Sequence, residues 1–179
     1  MKSILWVLML IMSLFGCSSD SPIDPESIMS QERKLKGAPE VDTLIARELT
    51  ASYARFRSAN PQDSLSPYYL IKQADLAQGV FKEYQESLDL YQLFLSNYTD
   101  HPMVPKAIFM QAYVLDEHLE KKELAIEKYQ DLITNFPRHP LSSDARNLVQ
   151  MMTDTLSEEE QVALWLERIK EDSSNTKNQ

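Results

Sequence analysis

An internal repeat restricts the fold of this chain more than any other feature of its sequence. Three tyrosines recur at one equal spacing, and they are Tyr53, Tyr91 and Tyr129. Three positions after each tyrosine comes another large apolar residue, namely Phe56, Phe94 and Leu132. A period of about 38 residues is typical of stacked helix pairs, because a single pair cannot bury its apolar face alone. The sequence therefore predicts an all-α array in which each unit packs against the next.

Proline and alanine extend the repeat beyond the tyrosines. Pro61 and Pro137 each follow a repeat tyrosine at the same distance, at a point where a helix should end because proline lacks an amide donor. Small residues recur where neighbouring helices would pack closely, with Ala74 aligned to Ala112 and Ala107 to Ala145. We assign all of these positions a structural role.

The spacing of apolar residues defines the helices. In residues 104–119 they recur every three or four positions and form one stripe, and residues 123–135 repeat the pattern. Ser157 and Glu160 have the spacing of a capping box at the start of a last helix. The expected helices are 41–59, 67–80, 82–98, 104–119, 123–135, 141–152 and 157–169. This predicts six or seven helices and no strand, with no recognisable partner helix before the first one.

The N-terminus has the composition of an export signal. Lys2 precedes an apolar stretch, residues 4–12, and Gly16 stands directly before Cys17, the only cysteine of the chain. The stretch is shorter than the ~20 apolar residues that span a bilayer. It resembles the signal segment and lipobox of bacterial lipoproteins, which implies that residues 1–16 are removed and that Cys17 carries acyl chains such as palmitate. The alternatives are an ordinary secretory signal or a membrane anchor with an unrelated cysteine.

The rest of the chain divides by composition into three parts. Residues 17–40 carry few large apolar residues, which predicts a lipidated cysteine followed by a flexible tether with at most a weak helical turn around Ile28. Residues 41–170 contain the repeats and form the predicted helical domain. Residues 171–179 are polar, and we expect them to be a disordered tail.

The acidic charge excludes several classes of partner. The chain has 18 Lys and Arg against 27 Asp and Glu, which gives a net charge of −9. Nucleic-acid binding depends on basic side chains that neutralise phosphates, so we expect no nucleic-acid partner. The 3 glycines are too few and too scattered for a phosphate-binding loop, so we expect no nucleotide either.

Ala125, Tyr129 and Pro137 follow the spacing of the tetratricopeptide repeat, in which an alanine opens the second helix and an aromatic residue and a proline follow it. This resemblance implies a right-handed α-solenoid of antiparallel helix pairs. The phrase Phe136-Pro137-Arg138-His139-Pro140 is also similar to the repeats of two bacterial envelope groups. These are the repeat lipoprotein of the outer-membrane β-barrel assembly machine and the periplasmic repeat protein associated with the Tol–Pal system.

Few residues suggest reactive chemistry. His101 and His139 lie one repeat apart, so we expect them in equivalent turns, each packed on the aromatic residue before it, rather than at a shared metal site. Asp116 and Glu117 are adjacent on a helix and therefore point in different directions. We expect no catalytic residue, no metal, no cofactor and no enzymatic activity.

Tyr68 and Tyr69 are the candidate ligand contacts. Both come at the start of a predicted helix, where at least one of them should face outward, and together they would offer an aromatic platform. The alternative is that an exposed aromatic residue here has no binding role, since single exposed apolar side chains are common.

These features favour a non-enzymatic scaffold, bound through acylated Cys17 to the periplasmic face of the bacterial outer membrane. The envelope resemblance implies a protein or peptide partner in outer-membrane assembly or maintenance, such as components of the β-barrel assembly machine or of the Tol–Pal system. The alternative is a lipoprotein module that binds glycan or peptidoglycan, for which Tyr68 and Tyr69 are the conspicuous contacts.

Overall fold

The computed structural model describes residues 23–37, 40–154 and 157–175, and every regular element within these ranges is a helix. The eight helices are α1 (Pro25–Gly37), α2 (Thr43–Ala59), α3 (Leu65–Leu76), α4 (Tyr84–Asn97), α5 (Val104–Glu117), α6 (Lys122–Asn135), α7 (Pro140–Asp154) and α8 (Glu158–Asn175). A π-helical turn, Ala77–Phe81, extends α3. The predicted all-α class is confirmed for the described part of the chain.

Each helix from α1 to α6 packs against the next one in the sequence, and α5 also contacts α7. Most contacts therefore join helices that are neighbours in the sequence, as expected when each repeat unit buries its apolar face on the next one. Within the described ranges, none of the helices has the length and apolar character needed to cross a membrane.

The turns that join one helix pair to the next contain equivalent hydrogen bonds, which recur with the spacing of the repeat tyrosines. In each turn, the backbone amide just after the preceding helix donates a hydrogen bond to the carbonyl four residues back. The three bonds are Asn60 N to Phe56 O at 2.8 Å, Tyr98 N to Phe94 O at 2.9 Å and Phe136 N to Leu132 O at 2.9 Å. Before or at the start of the next helix, a side chain of the turn accepts from the amide two residues on. These contacts are Leu65 N to Asp63 Oδ1 at 2.8 Å, Met103 N to His101 Nδ1 at 3.2 Å and Leu141 N to His139 Nδ1 at 3.2 Å.

The turns within two of the helix pairs are equivalent as well. Lys82 and Glu120 lie one repeat apart, and both adopt the left-handed backbone conformation, with φ of 61° and 54°. In each turn the following amide donates to a carbonyl six residues back, one residue further than the long hydrogen bond of a Schellman motif. The donors and acceptors are Glu83 N to Ala77 O at 2.9 Å and Lys121 N to Leu115 O at 2.8 Å.

The repeat residues form the core. The three tyrosines, Tyr53, Tyr91 and Tyr129, are at most 2 % exposed, and Phe56 and Phe94 are buried beside them. The repeat alanines are fully buried at helix contacts, and they are Ala74, Ala107, Ala112, Ala125 and Ala145. Pro61 and Pro137 are exposed just after the ends of α2 and α6.

The predicted tether is wrong for residues 25–37, which form α1. Ile28 of this helix is fully buried in an N-terminal cluster, whose other buried members are Leu49, Tyr53, Phe56 and Tyr69. Ile28, with Leu35 beside it, covers the aromatic side chains of this cluster, and polar contacts of Gln31 and Glu32 also hold α1 to its neighbours. α1 is therefore the partner helix that the first repeat lacked in the sequence, and the described part of the chain has one helix more than the upper prediction.

The predicted tail also differs from the structure. α8 continues to Asn175, so residues 171–175 are helical, whereas residues 176–179 lie outside the described ranges. The predicted capping box at the start of α8 is confirmed. Glu160 N donates to Ser157 Oγ at 3.3 Å, and Ser157 N donates to Glu160 Oε2 at 2.8 Å.

Candidate binding site

A cleft of about 190 Å³ lies between α1, α2 and α3. Its walls combine charged side chains with leucines and one repeat tyrosine: Glu32, Leu35, Lys36, Leu49, Tyr53, Lys72, Asp75 and Leu76. Because α1 forms one wall, the cleft exists only through the helix that the sequence did not predict. Its mixed polar and apolar surface is typical of sites that hold a small ligand or a side chain of a partner.

Glu32 is the polar centre of the cleft. It accepts a hydrogen bond of 2.6 Å from the Tyr53 hydroxyl and pairs with Lys72 Nζ at 2.8 Å, so it joins α1 to both α2 and α3. Burial raises the pKa of the Glu32 carboxyl, but the hydrogen bonds from Lys72 and Tyr53 outweigh burial and hold it below its usual range. Burial, followed by the nearby Glu32 carboxylate, raises the pKa of the Tyr53 hydroxyl. The carboxylate and the neutral phenol are therefore the stable forms here.

Asp75 builds a second site of the same chemistry one helix pair further on. Its Oδ1 accepts from the Tyr91 hydroxyl at 2.6 Å, and its Oδ2 pairs with Lys106 Nζ at 2.6 Å. Burial and the Asp75 charge raise the pKa of the Tyr91 hydroxyl. In both sites a repeat tyrosine donates to a carboxylate that a lysine from a later helix neutralises. Since Asp75 lines the same cleft as Glu32, the two carboxylates border one cleft.

Tyr68 and Tyr69 do not form the expected platform. Tyr68 is exposed, and its ring lies 4.9 Å from Lys72 Nζ, so it borders the cleft through a cation–π contact. Tyr69 is buried, stacked on Tyr53 at 4.9 Å and edge-on to Phe56 at 5.0 Å. The assignment of Tyr69 as a ligand contact is therefore wrong, because the aromatic cluster under α1 takes its ring, whereas Tyr68 keeps its place as a candidate contact.

A second, more open hollow of about 440 Å³ lies where α2 begins and α3 ends. Arg47 lies over the Phe81 ring at 3.7 Å and also pairs with both carboxylate oxygens of Glu83, at 2.9 and 2.5 Å. Leu44 borders it and is exposed. Because the guanidinium is already stacked and paired, this surface offers fewer open contacts than the cleft.

The histidines occupy separate structural positions. His101 Nδ1 and His139 Nδ1 each accept from the amide two residues on, in the turn before α5 and at the start of α7, and the His101 ring lies edge-on to Phe94 at 5.4 Å. His118 is stacked on Tyr84 at 4.1 Å. Over the ranges that the structure describes, no group of three or more His, Cys, Asp or Glu side chains is placed to hold a metal ion.

A comparison of the sequence with protein-family models and with curated proteins found no match. Cys17, the predicted site of lipidation, lies outside the described residues.

The residues that line the cleft were not predicted from the sequence. Glu32 comes from α1, whereas Lys72 and Asp75 come from α3, and the partners they pair with are distant from them in the chain. A signal was present for α1, since Asp24 and Pro25 are favoured at the N-cap and first position of a helix, and Gly37 is favoured at its end. No comparable signal in the sequence indicated which side chains pair with Glu32 and Asp75.

Proposed function

We propose that this chain is a non-enzymatic scaffold, anchored by lipid at Cys17, that binds a protein or peptide partner in bacterial outer-membrane assembly or maintenance. Its helix pairs would form a right-handed α-solenoid of the tetratricopeptide type. The observation that carries the proposal is the repetition of the same turn at Asp63, His101 and His139. Helix pairs joined by equivalent turns stack regularly, and such stacks offer long surfaces that bind other chains.

The cleft between α1 and α3 is the part of this scaffold best suited to a partner. Its carboxylates are neutralised by Lys72 and Lys106, whereas Lys36 stands exposed on its rim. A partner side chain or chain end that carries a carboxylate would meet Lys36 first, with Tyr68 close by. Three leucines in the walls would bury the apolar part of the same residue.

The position of α1 limits the reach of the proposed anchor. Pro25 follows Cys17 by eight positions, and a fully extended chain spans at most roughly 29 Å over that distance. If Cys17 is acylated, the start of α1 stays within this distance of the bilayer. The partner would then be another membrane-bound protein or a soluble segment brought to the membrane surface.

Affinity capture from gently solubilised bacterial envelopes tests the proposal. The full chain is compared with Cys17→Ala, which should leave the membrane fraction and lose envelope partners, and with Lys36→Glu, which should weaken capture. Lys34→Glu is the matched control, because Lys34 is exposed on the same helix but does not line the cleft. Recovery of β-barrel assembly or Tol–Pal components that depends on Cys17 and Lys36 would support the scaffold.

Two other outcomes would contradict the proposal. If peptidoglycan or another glycan is the only material recovered, the chain is a glycan-binding module, and the exposed Tyr68 becomes the residue to replace next. If the full chain and Cys17→Ala recover the same proteins in the same amounts, membrane anchoring has no part in partner binding.

A further inference from the structure

Three aromatic rings meet where α5 ends and α4 begins, and together they are called the His118 cluster. His118 is stacked on Tyr84 with 4.1 Å between the ring centroids, and Tyr113 lies edge-on to His118 at 5.7 Å. All three side chains are half-buried, so part of each remains open to solvent. The faces of aromatic rings carry negative charge density, which attracts cations.

Two carboxylates flank this cluster in the last turn of α5. Asp116 is half-buried and Glu117 is exposed. They follow Tyr113 by three and four residues, so both are its neighbours on the surface of the helix. The last turn is also the negative end of the helix dipole, where a cation is favoured.

The negative charge at this place is compensated only in part. Burial, followed by the charge of Glu117, raises the pKa of the Asp116 carboxyl, whereas Lys122 lowers it. Because the pKa stays above its ordinary value, the effect of Lys122 is the smaller one. A second cation close to Asp116 would therefore be bound favourably.

The buried hydroxyl of Tyr129 lies near the same two carboxylates. Burial raises the pKa of this hydroxyl most, and the charges of Asp116 and Glu117 are the next causes. Tyr129 is fully buried, and its hydroxyl has no hydrogen-bond partner among the described residues. A phenol oxygen can accept a hydrogen bond from a cationic donor. The unpartnered oxygen thus adds an acceptor to those of the carboxylates.

The preceding repeat shows which group the chain itself does not supply here. In the Tyr91 site, Lys106 pairs with Asp75, the carboxylate that accepts from the tyrosine. The position one repeat after Lys106 is Asp144, which is exposed on α7. The next repeat therefore has a carboxylate where the Tyr91 site has its lysine, and a cation at this position would come from another molecule.

We propose that the His118 cluster, together with Asp116 and Glu117, binds an arginine or lysine side chain of a partner protein. The cationic group pairs with the carboxylates and lies against the ring of Tyr113. Arginine is favoured over lysine, because its planar guanidinium also stacks on aromatic rings. This contact lies outside the cleft between α1 and α3, and it does not depend on the proposed function.

Binding of a short oligo-arginine peptide with blocked ends tests the site. The peptide carries an uncharged fluorescent label, and its anisotropy is followed as the full chain, purified in an uncharged detergent, is added. Glu117→Gln and Tyr113→Leu should each raise the Kd about two- to five-fold. The double variant should lose less than the product of the two effects, because both contacts hold one cation. Tyr113→Phe keeps the ring and should bind like the parent.

Matched controls separate this site from the general acidity of the chain. Glu48→Gln removes an exposed carboxylate from α2, and Tyr98→Leu removes a half-buried tyrosine that lies edge-on to His101 at 6.4 Å. Each should leave the Kd within about 1.5-fold of the parent, because distant exposed charges are screened by salt. Thermal melting shows which variants remain folded, and Glu117→Gln decides if Tyr113→Leu does not.

Four results would overturn the proposal. They are no binding of the peptide, equal binding of an oligo-glutamate peptide, equal weakening by Glu117→Gln and Glu48→Gln, and an unchanged Kd for Glu117→Gln or for folded Tyr113→Leu.

Discussion

The hydroxyl of Tyr91 donates a 2.6 Å hydrogen bond to Asp75, whereas the equivalent hydroxyl of Tyr129 is buried with no hydrogen-bond partner among the described residues. Tyr53, the third member of the set, donates to Glu32 at 2.6 Å. Two repeat tyrosines therefore tie helices together through their hydroxyls, and the third contributes its ring alone. The position one repeat after Asp75 is Tyr113, so the carboxylate that would accept from Tyr129 is missing from the sequence itself.

Removing the hydroxyl of Tyr91 should lower the free energy of unfolding, whereas removing that of Tyr129 should not. Tyr91→Phe deletes a hydrogen bond to a charged acceptor, which we expect to lower the free energy of unfolding by about 1–2 kcal/mol. Tyr129→Phe removes a buried hydroxyl without a partner and should leave stability unchanged or raise it by up to about 1 kcal/mol. Urea unfolding of the two variants and the parent measures both. Equal losses would mean that Tyr129 also has an acceptor.

The charge of Glu32 should make the stability of the N-terminal cluster depend on pH. The pKa of Glu32 in the folded protein lies below its ordinary value of 4.5, so its contribution is fully present above about pH 4.5 and is lost as the pH falls through the lower folded value. Glu32→Gln should therefore lower the free energy of unfolding by about 1–2 kcal/mol at neutral pH, and the difference from the parent should shrink in acid.

Urea unfolding over a series of pH values measures this difference. Glu26→Gln is the control, because Glu26 is exposed on the same helix, and it should change stability by less than about 0.5 kcal/mol. A difference for Glu32→Gln that stays constant from neutral to acidic pH would show that the carboxylate charge does not stabilise the fold.

The sequence predicted the repeated part of the fold because the repeat is a local pattern. Tyr53, Tyr91 and Tyr129 fix the register, and the spacing of apolar residues around them fixes each helix, so α2 to α7 were found with errors of a few residues at their ends. The capping box of Ser157 and Glu160 is local in the same sense, and it was found as well.

The candidate site was not predictable in the same way. Its parts come from α1, α2, α3 and α5, and nothing in the sequence near Glu32 indicates that Tyr53 and Lys72 surround it. α1 was missed because the overall polarity of the segment was given more weight than the signals at its ends, and because the contacts that hold it, through Ile28 and Glu32, are made with residues far away in the chain. The direction of Tyr69 was open for the same reason, since its place under α1 depends on a helix that had not been predicted.

The left-handed backbone at Glu120 offers a test of the turn between α5 and α6, inside the third helix pair. A residue with a Cβ costs roughly 1–2 kcal/mol in this conformation, and glycine avoids that cost. Glu120→Gly should therefore raise the free energy of unfolding by about 0.5–1 kcal/mol, as measured by thermal or urea unfolding.

Ala54→Gly is the matched control, because it also introduces a glycine. Ala54 is exposed in the middle of α2, where glycine should lower the free energy of unfolding by about 1 kcal/mol. If both substitutions destabilise the protein, the turn at Glu120 is not left-handed in solution.

His139 provides the last test, because the first repeat shows which residue can replace it. His139 Nδ1 accepts from Leu141 N at 3.2 Å, and at the equivalent place Asp63 Oδ1 accepts from Leu65 N at 2.8 Å. His139→Asp should keep the acceptor and add a favourable charge at the N-terminus of α7, so we expect the free energy of unfolding to stay the same or rise slightly. His139→Ala removes the acceptor and should cost about 1 kcal/mol. Urea unfolding of both variants separates capping from packing, since packing by the ring would make the aspartate variant as unstable as the alanine variant.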